Sequence, residues 1–297
     1  MSDEKLRYDR QIRLWGSATQ KQLHDTAIVS VGIDGVVSET LKNLVLAGVG
    51  SVSLWAPTPC SVSMSRATHL ITHQDVIEAL PLHDAISGSL KELNPHVVVS
   101  TRCERDYRSL PAYDKRCVVL ISSDGVFNLD MQAFSSEALM VIVFALGPIT
   151  LCQCLGGSDL QEGATLLDIL RGVFTRNIAL KPRWYVLAAL TILTRAAMVD
   201  ETVGASVVER LPAALHHCLL AAERLGLKLA DDDVQSILDL TLSPSVGRAV
   251  EASIGGGHIA QQLISRIAGG GESGSCPPTF EWVVVSTIAG PECLVGS

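Results

Sequence analysis

A glycine-rich turn after the first strongly apolar run is the clearest candidate for chemistry. The run Ala27–Gly32 leads into Gly32-x-x-Gly35-x-x-Ser38, which opens a stretch with helical spacing of apolar residues. Such turns bind nucleotide phosphates when several glycines leave backbone amides open to the ligand. Here Asp34 brings a carboxylate, and two valines bring bulk, to the place that a phosphate would approach. The pattern favours a structural turn, and retained nucleotide binding is the open alternative.

A dinucleotide site also needs a carboxylate at the end of the second strand, where it bonds the ribose hydroxyls. The predicted second strand, Ser51–Trp55, is followed by Ala-Pro-Thr and has no acidic residue there. A Rossmann-type oxidoreductase with measurable NAD binding stays open as another class of function. The missing acid and Asp34 both oppose it.

Charged and aromatic side chains are dense in Tyr8–Gly16, which reads Tyr-Asp-Arg-Gln-Ile-Arg-Leu-Trp-Gly. One interpretation is an exposed helix with ion pairs. The other is an arginine that is offered to a phosphate held by another chain, because the planar guanidinium carries a fork of donors suited to phosphate oxygens. Composition by itself leaves both interpretations open.

The eight cysteines include no evident nucleophile and no Cys-x-x-Cys pair of the zinc-ribbon type. A reactive thiolate needs a nearby cation or a helix N-terminus. Cys60 and Cys276 lie in predicted loops without an evident base, and Cys218 lies in an apolar helix. His216 and His217 lie in a leucine-rich helix. We predict no metal site in the chain.

Alternating strands and helices must position these residues. Strands are predicted at 27–32, 51–55, 97–101, 116–122, 138–146 and 280–286, and helices at 4–15, 37–47, 74–93, 128–137 and 258–267. The alternation predicts an α/β fold with a Rossmann-like, mostly parallel sheet flanked by helices. Helical runs at 166–170, 184–198, 211–225 and 234–240 predict a helical insertion over 158–250. The insertion divides 1–157 from 251–297, whose helix and strand would complete the first domain.

Composition narrows the class of protein further. The 297 residues are 47% hydrophobic and carry a net charge of −8, which suits a globular chain and argues against general nucleic-acid binding. No apolar run reaches the roughly 18–20 residues that cross a bilayer, and the polar start Met1–Lys5 is unlike a signal peptide. Cysteines within apolar runs suit a reducing compartment, so an intracellular location is expected.

The stretch Tyr8–Gly16, the glycine turn and Leu41–Gly50 together resemble the adenylation domain of ubiquitin-like-protein-activating enzymes, a family with a ThiF/MoeB-like fold. Leu93-Asn94-Pro95, Gly255–Gln262 and Glu292–Leu294 agree with that resemblance. Within the family the sequence is most similar to the smaller, non-catalytic subunit of the SUMO-activating heterodimer. The resemblance spans nearly the whole chain.

The resemblance implies a heterodimer with a larger catalytic subunit, which would hold the ATP and Mg, the zinc and the catalytic cysteine. That subunit would join the carboxylate of a SUMO-like modifier to AMP and release pyrophosphate. Arg10 is the position that would reach this ATP in trans. The resemblance implies no cofactor in this chain, no nucleic-acid or membrane partner, and residence in the nucleus and cytoplasm.

Three departures from the family's pattern indicate that this chain lacks a working ATP site. The turn at Gly32, Gly35 and Ser38 is degenerate, the acid after the second strand is missing, and Ala79–His83 has no Lys or Arg. The 158–250 segment would replace the cysteine-bearing domain, and a helix at Ile259–Ile267 would contribute to the dimer interface. A Rub/Nedd-type activating enzyme and a pseudo-enzyme scaffold are the alternatives within the family.

Overall fold

The computed structural model describes residues 3–102, 117–122, 139–146, 149–155, 170–172, 174, 183–200, 207–242, 249–269 and 283–286. Its helices are α1 (Asp3–His24), α2 (Gly35–Ala47), α3 (Val62–Ala67), α4 (His73–Ile77), α5 (Leu82–Leu93), α6 (Arg183–Asp200), α7 (Val207–Arg224), α8 (Asp231–Leu242) and α9 (Ala249–Gly269). Its strands are β1 (Ala27–Val31), β2 (Ser51–Trp55), β3 (Val98–Thr101), β4 (Cys117–Ser122), β5 (Leu139–Leu146), β6 (Ile149–Leu155) and β7 (Val283–Ser286).

All seven strands belong to one sheet, in the order β3-β2-β1-β4-β5-β6-β7. The five strands from β3 to β5 are parallel, whereas β6 and β7 pair antiparallel. The predicted α/β class with a mostly parallel sheet is therefore confirmed. Because strand order reverses between β1 and β4, the carboxyl edge of these two strands is the topological switch point, where open α/β sheets bind ligands. The glycine turn follows β1 at that edge.

The described chain divides into two compact units. The first comprises residues 1–157 and 245–297 and contains the sheet with α1 to α5 and α9. The second comprises residues 158–244 and contains α6, α7 and α8. Three of the predicted helical runs of the insertion lie in these helices, and the run at 166–170 falls outside the described residues except for its last position.

The core of the first unit lies between the sheet and the helices α2 and α9. Leu41 and Leu44 of α2 and Ile86 of α5 are fully buried there, because apolar residues at helical spacing face the branched side chains of the central strands. Within the second unit, Arg183 at the start of α6 forms a two-pronged ion pair with the buried Asp233 of α8. Among the described helices, none combines the length and apolar character that a membrane span requires.

The single helix predicted over 74–93 is wrong, because the segment forms α4 and α5 with a break before Pro81. Proline lacks the N–H of a helix interior and its ring clashes with the preceding turn. The residues at the break also pair with the segment before α3. The Cys60 amide donates to the Leu80 carbonyl at 2.8 Å, and Pro59 forms an isolated β-bridge with Pro81. Ala79 has a φ of 50°, which closes the turn between the two helices.

The helix predicted to begin at His258 begins instead at Ala249, so Gly255, Gly256 and Gly257 lie inside α9. Glycines normally disfavour a helix interior. Here a Cβ at Gly256 would lie only 2.7 Å from the Val36 carbonyl oxygen, so glycine permits α9 to approach the backbone of α2. Close packing between the two helices therefore outweighs the propensity cost.

Strand β6 was absent from the sequence-based prediction. It forms a hairpin with β5 in which Leu146 pairs with Ile149. β7 then pairs with β6, which confirms the late strand predicted at 280–286 for the part that the structure describes. The predicted helix at 128–137 lies outside the described residues.

Candidate functional site

The glycine turn connects the carboxyl end of β1 to the first turn of α2. Gly32 has a φ of 69°, a left-handed conformation that favours glycine. Its amide donates a hydrogen bond to the Trp55 carbonyl at 2.7 Å, which ties the turn to the end of β2. The Ser30 hydroxyl donates to the Gly32 carbonyl at 3.0 Å. The turn is therefore held in place by the chain itself.

Asp34 caps α2 and occupies the place where a phosphate would bind. The fully buried Asp34 carboxylate accepts a hydrogen bond from the Val37 amide at 2.8 Å. The Ser38 amide donates to the Asp34 carbonyl at 2.9 Å, and the Ser38 hydroxyl donates to the Gly35 carbonyl at 2.8 Å. A phosphate here would meet a carboxylate in place of these amides. The residues present do not fit a nucleotide phosphate.

A second buried carboxylate, Glu39, lies one turn further along α2. It is 2% exposed, pairs with Lys42 and lies 3.4 Å from the Nδ1 atom of His69. Lys42 is thereby engaged by a side chain of its own helix. Glu39 is thus a buried carboxylate whose charged or titratable neighbours are Lys42 and His69.

The nonapeptide Tyr8–Gly16 lies on the first half of α1, which kinks at Gly16. This confirms the predicted end of the first helix at that glycine, and α1 resumes to His24. Two glutamines tie the helix to the carboxyl end of α2. The Gln11 amide donates to the Leu46 carbonyl at 3.2 Å, and the Gln20 amide donates to the Ala47 carbonyl at 2.9 Å.

The three arginines of α1 differ in what they contact. Arg7 donates to the Leu93 carbonyl at the end of α5. Arg13 pairs with Asp9 at 2.8 Å on the helix surface. Arg10 is exposed and makes no hydrogen bond or ion pair with the part of the chain that the structure describes. Of these guanidinium groups, Arg10 is the one free to bind an anion on another molecule.

Tyr8 and Asn94 form a contact that sequence reasoning missed. The Asn94 side-chain amide donates to the Tyr8 hydroxyl at 2.7 Å across 86 residues of sequence. Both residues lie in stretches that carried the family resemblance, yet nothing in either stretch indicated that they meet. Only the docking of α1 beside the end of α5 brings them together.

One face of the helix that is predicted to contribute to the dimer interface packs inside the chain. Ile259 and Leu263 of α9 are 1% and 2% exposed and belong to the core that includes α2. The side chains of Ile259 and Leu263 therefore belong to the chain's own core, and the contribution of the helix Ile259–Ile267 to a dimer interface stays a prediction. Their spacing identified an apolar face correctly, but periodicity does not say which surface covers it.

The cysteines whose side chains the structure describes, Cys60, Cys117, Cys152 and Cys218, are buried. Burial raises the pKa of Cys60, with a further upward contribution from the Asp75 carboxylate. Burial also raises the pKa of Cys218, although a hydrogen bond with Thr194 and the charge of Arg171 oppose the shift. Neither is the low-pKa thiolate that nucleophilic catalysis requires. Cys276 lies outside the described residues.

His216 and His217 are both exposed on α7, with ring centroids 6.5 Å apart. Within the described ranges, no group of three or more His, Cys, Asp or Glu is placed to hold a metal ion.

The fold and the turn define a Rossmann-like domain of the nucleotide-binding type whose phosphate turn is filled by its own aspartate. Residues 8–128 match the model of the ThiF family. SUMO-activating enzyme subunit 1A of Arabidopsis thaliana is 43% identical over 94 residues, which cover 31% of this chain and 29% of that protein. SUMO-activating enzyme subunit 1 of Dictyostelium discoideum is 36% identical over 121 residues, which cover 41% of this chain and 36% of that protein.

These matches confirm the resemblance to the small subunit of SUMO-activating enzymes over the part that they cover. The matches span about a third of the relatives' own length and less than half of this chain. The matched length is therefore shorter than the nearly whole chain over which the resemblance was expected from the sequence. A crystal structure of E. coli MccB with ATP matches the fold with a TM-score of 0.56 at 14% identity, covering 98% of this chain and 71% of MccB. At that identity the likeness shows the fold alone.

Proposed function

We propose that this chain acts as the small, non-catalytic subunit of a SUMO-activating enzyme in the nucleus and cytoplasm. A larger partner subunit holds ATP and Mg²⁺ and joins AMP to the carboxylate of the modifier, with release of pyrophosphate. This chain supplies Arg10 to that reaction in trans. The relatives named SUMO-activating enzyme subunit 1 support the choice of modifier and the need for a partner. The free guanidinium of Arg10 on a tethered helix is the observation that carries the proposal.

The chemistry explains why a free arginine is useful here. Negative charge shifts on the phosphate oxygens when a carboxylate attacks the α-phosphate and pyrophosphate leaves. A guanidinium in a fixed position stabilises that charge without reorganising, and its fork of N–H donors matches two phosphate oxygens. Arg7 and Arg13 are engaged within the chain, whereas Arg10 is available to another molecule.

The surface around Arg10 supports docking on a partner. Leu6 and Leu14 lie four residues before and four residues after Arg10, so the three side chains share one face of α1. Leu6 is 56% exposed and Leu14 is 80% exposed. Exposed apolar side chains on either side of a free cation favour a protein surface that contains an anion.

The chain's own site supports the non-catalytic role. Asp34 fills the helix terminus that would bind a phosphate. Cys218, the cysteine of the helical insertion, is buried with a raised pKa, so it is unsuited to forming a thioester. Adenylation and thioester formation are therefore assigned to the partner.

SUMO-dependent ATP–pyrophosphate exchange tests the proposal. The larger SUMO-activating subunit would be assayed alone, with this chain, and with its Arg10→Ala and Arg13→Ala variants. Exchange should require this chain and fall roughly 10²–10³-fold with Arg10→Ala, the usual loss for one charge-stabilising donor. Arg13→Ala is the matched control and should stay within threefold of the wild type, since Arg13 is paired with Asp9 on the surface.

The other outcomes separate the alternatives. A chain that adds nothing to SUMO-dependent exchange contradicts the assignment, and the same assay with a Rub/Nedd-type pair then tests that modifier. A chain that raises exchange equally well with Arg10→Ala acts as a scaffold.

A further inference from the structure

The helix that carries Arg10 is anchored by a buried network at Tyr8. Tyr8 is 5% exposed and Asn94 is fully buried. The Asn94 side-chain nitrogen donates to the Tyr8 hydroxyl and to the Val45 carbonyl, each at 2.7 Å. The Asn94 side-chain oxygen accepts from the His96 amide at 3.2 Å. Because the donors and the acceptor of this side chain are all used, it has one orientation.

The Tyr8 ring lies against the end of α2. Gly48 ends that helix with a φ of 88°, and a Cβ there would lie 2.7 Å from two atoms of the Tyr8 ring. The Gln20 amide nitrogen would lie 2.9 Å from the same Cβ, and it donates to the Ala47 carbonyl at 2.9 Å. Because Gly48 has no side chain, the Tyr8 ring can pack directly against the end of α2.

We infer that Tyr8 and Asn94 are positioning residues that aim Arg10 at the phosphate of the partner subunit. This inference rests on the proposed function. Tyr8 and Arg10 are two positions apart, about 200° around the helix, so they project from nearly opposite sides of α1. An anchor on the Tyr8 side therefore sets the direction in which Arg10 leaves the molecule.

The required accuracy explains why a buried anchor matters. A rotation of α1 by about 10° moves an atom about 6 Å from the helix axis by about 1 Å. A misplacement of that size at a reacting centre can cost on the order of 100-fold in rate. The hydrogen bonds of Arg7 and Gln11 in this half of α1 to backbone carbonyls are exposed, whereas the Tyr8–Asn94 hydrogen bond is buried.

A double-mutant cycle in the assembled complex tests the inference. SUMO-dependent ATP–pyrophosphate exchange would be measured with the wild-type chain, Tyr8→Phe, Arg10→Ala and the double variant. Tyr8→Phe keeps the ring and removes the hydroxyl, and it should lower the kcat of exchange roughly 5- to 10-fold. In the Arg10→Ala background the same change should have an effect smaller than twofold, because Tyr8 acts through Arg10.

A second readout does not depend on activity. Amide hydrogen exchange over residues 3–15 of the full chain should be faster in Tyr8→Phe and unchanged in Arg10→Ala. Tyr185→Phe is the matched control, because it removes the hydroxyl of another buried tyrosine, on α6 of the second unit. It should leave both exchange measurements within twofold of the wild type.

The outcomes distinguish the two proposals. Three results would each overturn the positioning role: a Tyr8→Phe variant with the kcat of the wild type, unchanged amide exchange in α1, or losses that multiply in the double variant. In each of these cases, pyrophosphate exchange that depends on the wild-type chain would still support the proposed function. If the wild-type chain fails to raise pyrophosphate exchange, the proposed function is wrong and the positioning role is overturned with it.

Discussion

The Asp34 carboxylate accepts a hydrogen bond from the Val37 amide at 2.8 Å, at the point where α2 begins. One contact thereby has two consequences. It satisfies a helix N-terminal amide that has no partner within the helix. It also places a negative charge at the end of the helix where a phosphate would bind. The group that stabilises α2 is the same group that makes the turn unsuitable for a nucleotide.

Replacing Asp34 separates the cap from the charge. Asp34→Ala should lower the free energy of unfolding by about 1–2 kcal/mol, because the Val37 amide loses its acceptor. Asp34→Asn should cost less than half as much, since asparagine caps helices about as well as aspartate. Urea denaturation of the full chain measures both values. An alanine variant as stable as the wild type would show that this cap contributes nothing.

Two adjacent glycines of α9 should respond in opposite directions to alanine. A Cβ at Gly256 would lie 2.6 Å from the Glu39 Cβ and 2.8 Å from the Thr40 amide nitrogen, so Gly256→Ala must push α9 away from α2 and should cost roughly 1–3 kcal/mol. A Cβ at Gly257 would meet nothing within 4 Å, so Gly257→Ala should gain about 0.5–1 kcal/mol from helix propensity.

Thermal or urea unfolding of the two variants compares them directly. Equal effects at Gly256 and Gly257 would contradict the close approach of α9 to α2 and leave helix propensity as the explanation for both.

Burial of Cys218 should be visible as a dependence of stability on pH. Its thiol is protonated in the folded chain and its pKa lies above the ordinary value of 9.0, chiefly because of burial. Well below pH 9.0 both states keep the proton and this group does not change the stability. As the pH approaches and passes 9.0 the unfolded chain ionises first, so the contribution of Cys218 to stability falls until the pH passes the raised pKa of the folded state.

Comparison with Cys218→Ala isolates this group from the other titrating residues. The difference in unfolding free energy between the wild type and the variant should shrink as pH rises from 8 to 10, in denaturation series at each pH. Iodoacetamide at pH 8 should label Cys218 only as fast as the chain opens. Rapid labelling in the native state would contradict the buried thiol.

Local patterns predicted most of the sheet. Buried parallel strands such as β1 and β4 are short continuous apolar runs. The turn at Gly32 is predicted by its glycines. Ser51–Trp55 was predicted with the bounds that the structure has. The unfavourable chemistry of Asp34 was also readable in advance, because a carboxylate repels a phosphate in any geometry.

Contacts between distant segments decided the rest. Gly256 lies inside a helix because α2 is close beside it, and propensity within α9 alone indicates the opposite. Ile259 showed an apolar face, but only the fold covered that face with the chain's own core. The residue types of α1 suggested an arginine for a phosphate, whereas its tertiary contacts engage Arg7 and leave Arg10 free. The sequence by itself determined the elements and the chemistry each could do, since both follow from neighbouring residues. Only the tertiary structure decided which side chains meet, because Tyr8 and Asn94 are 86 residues apart and join only when the fold forms.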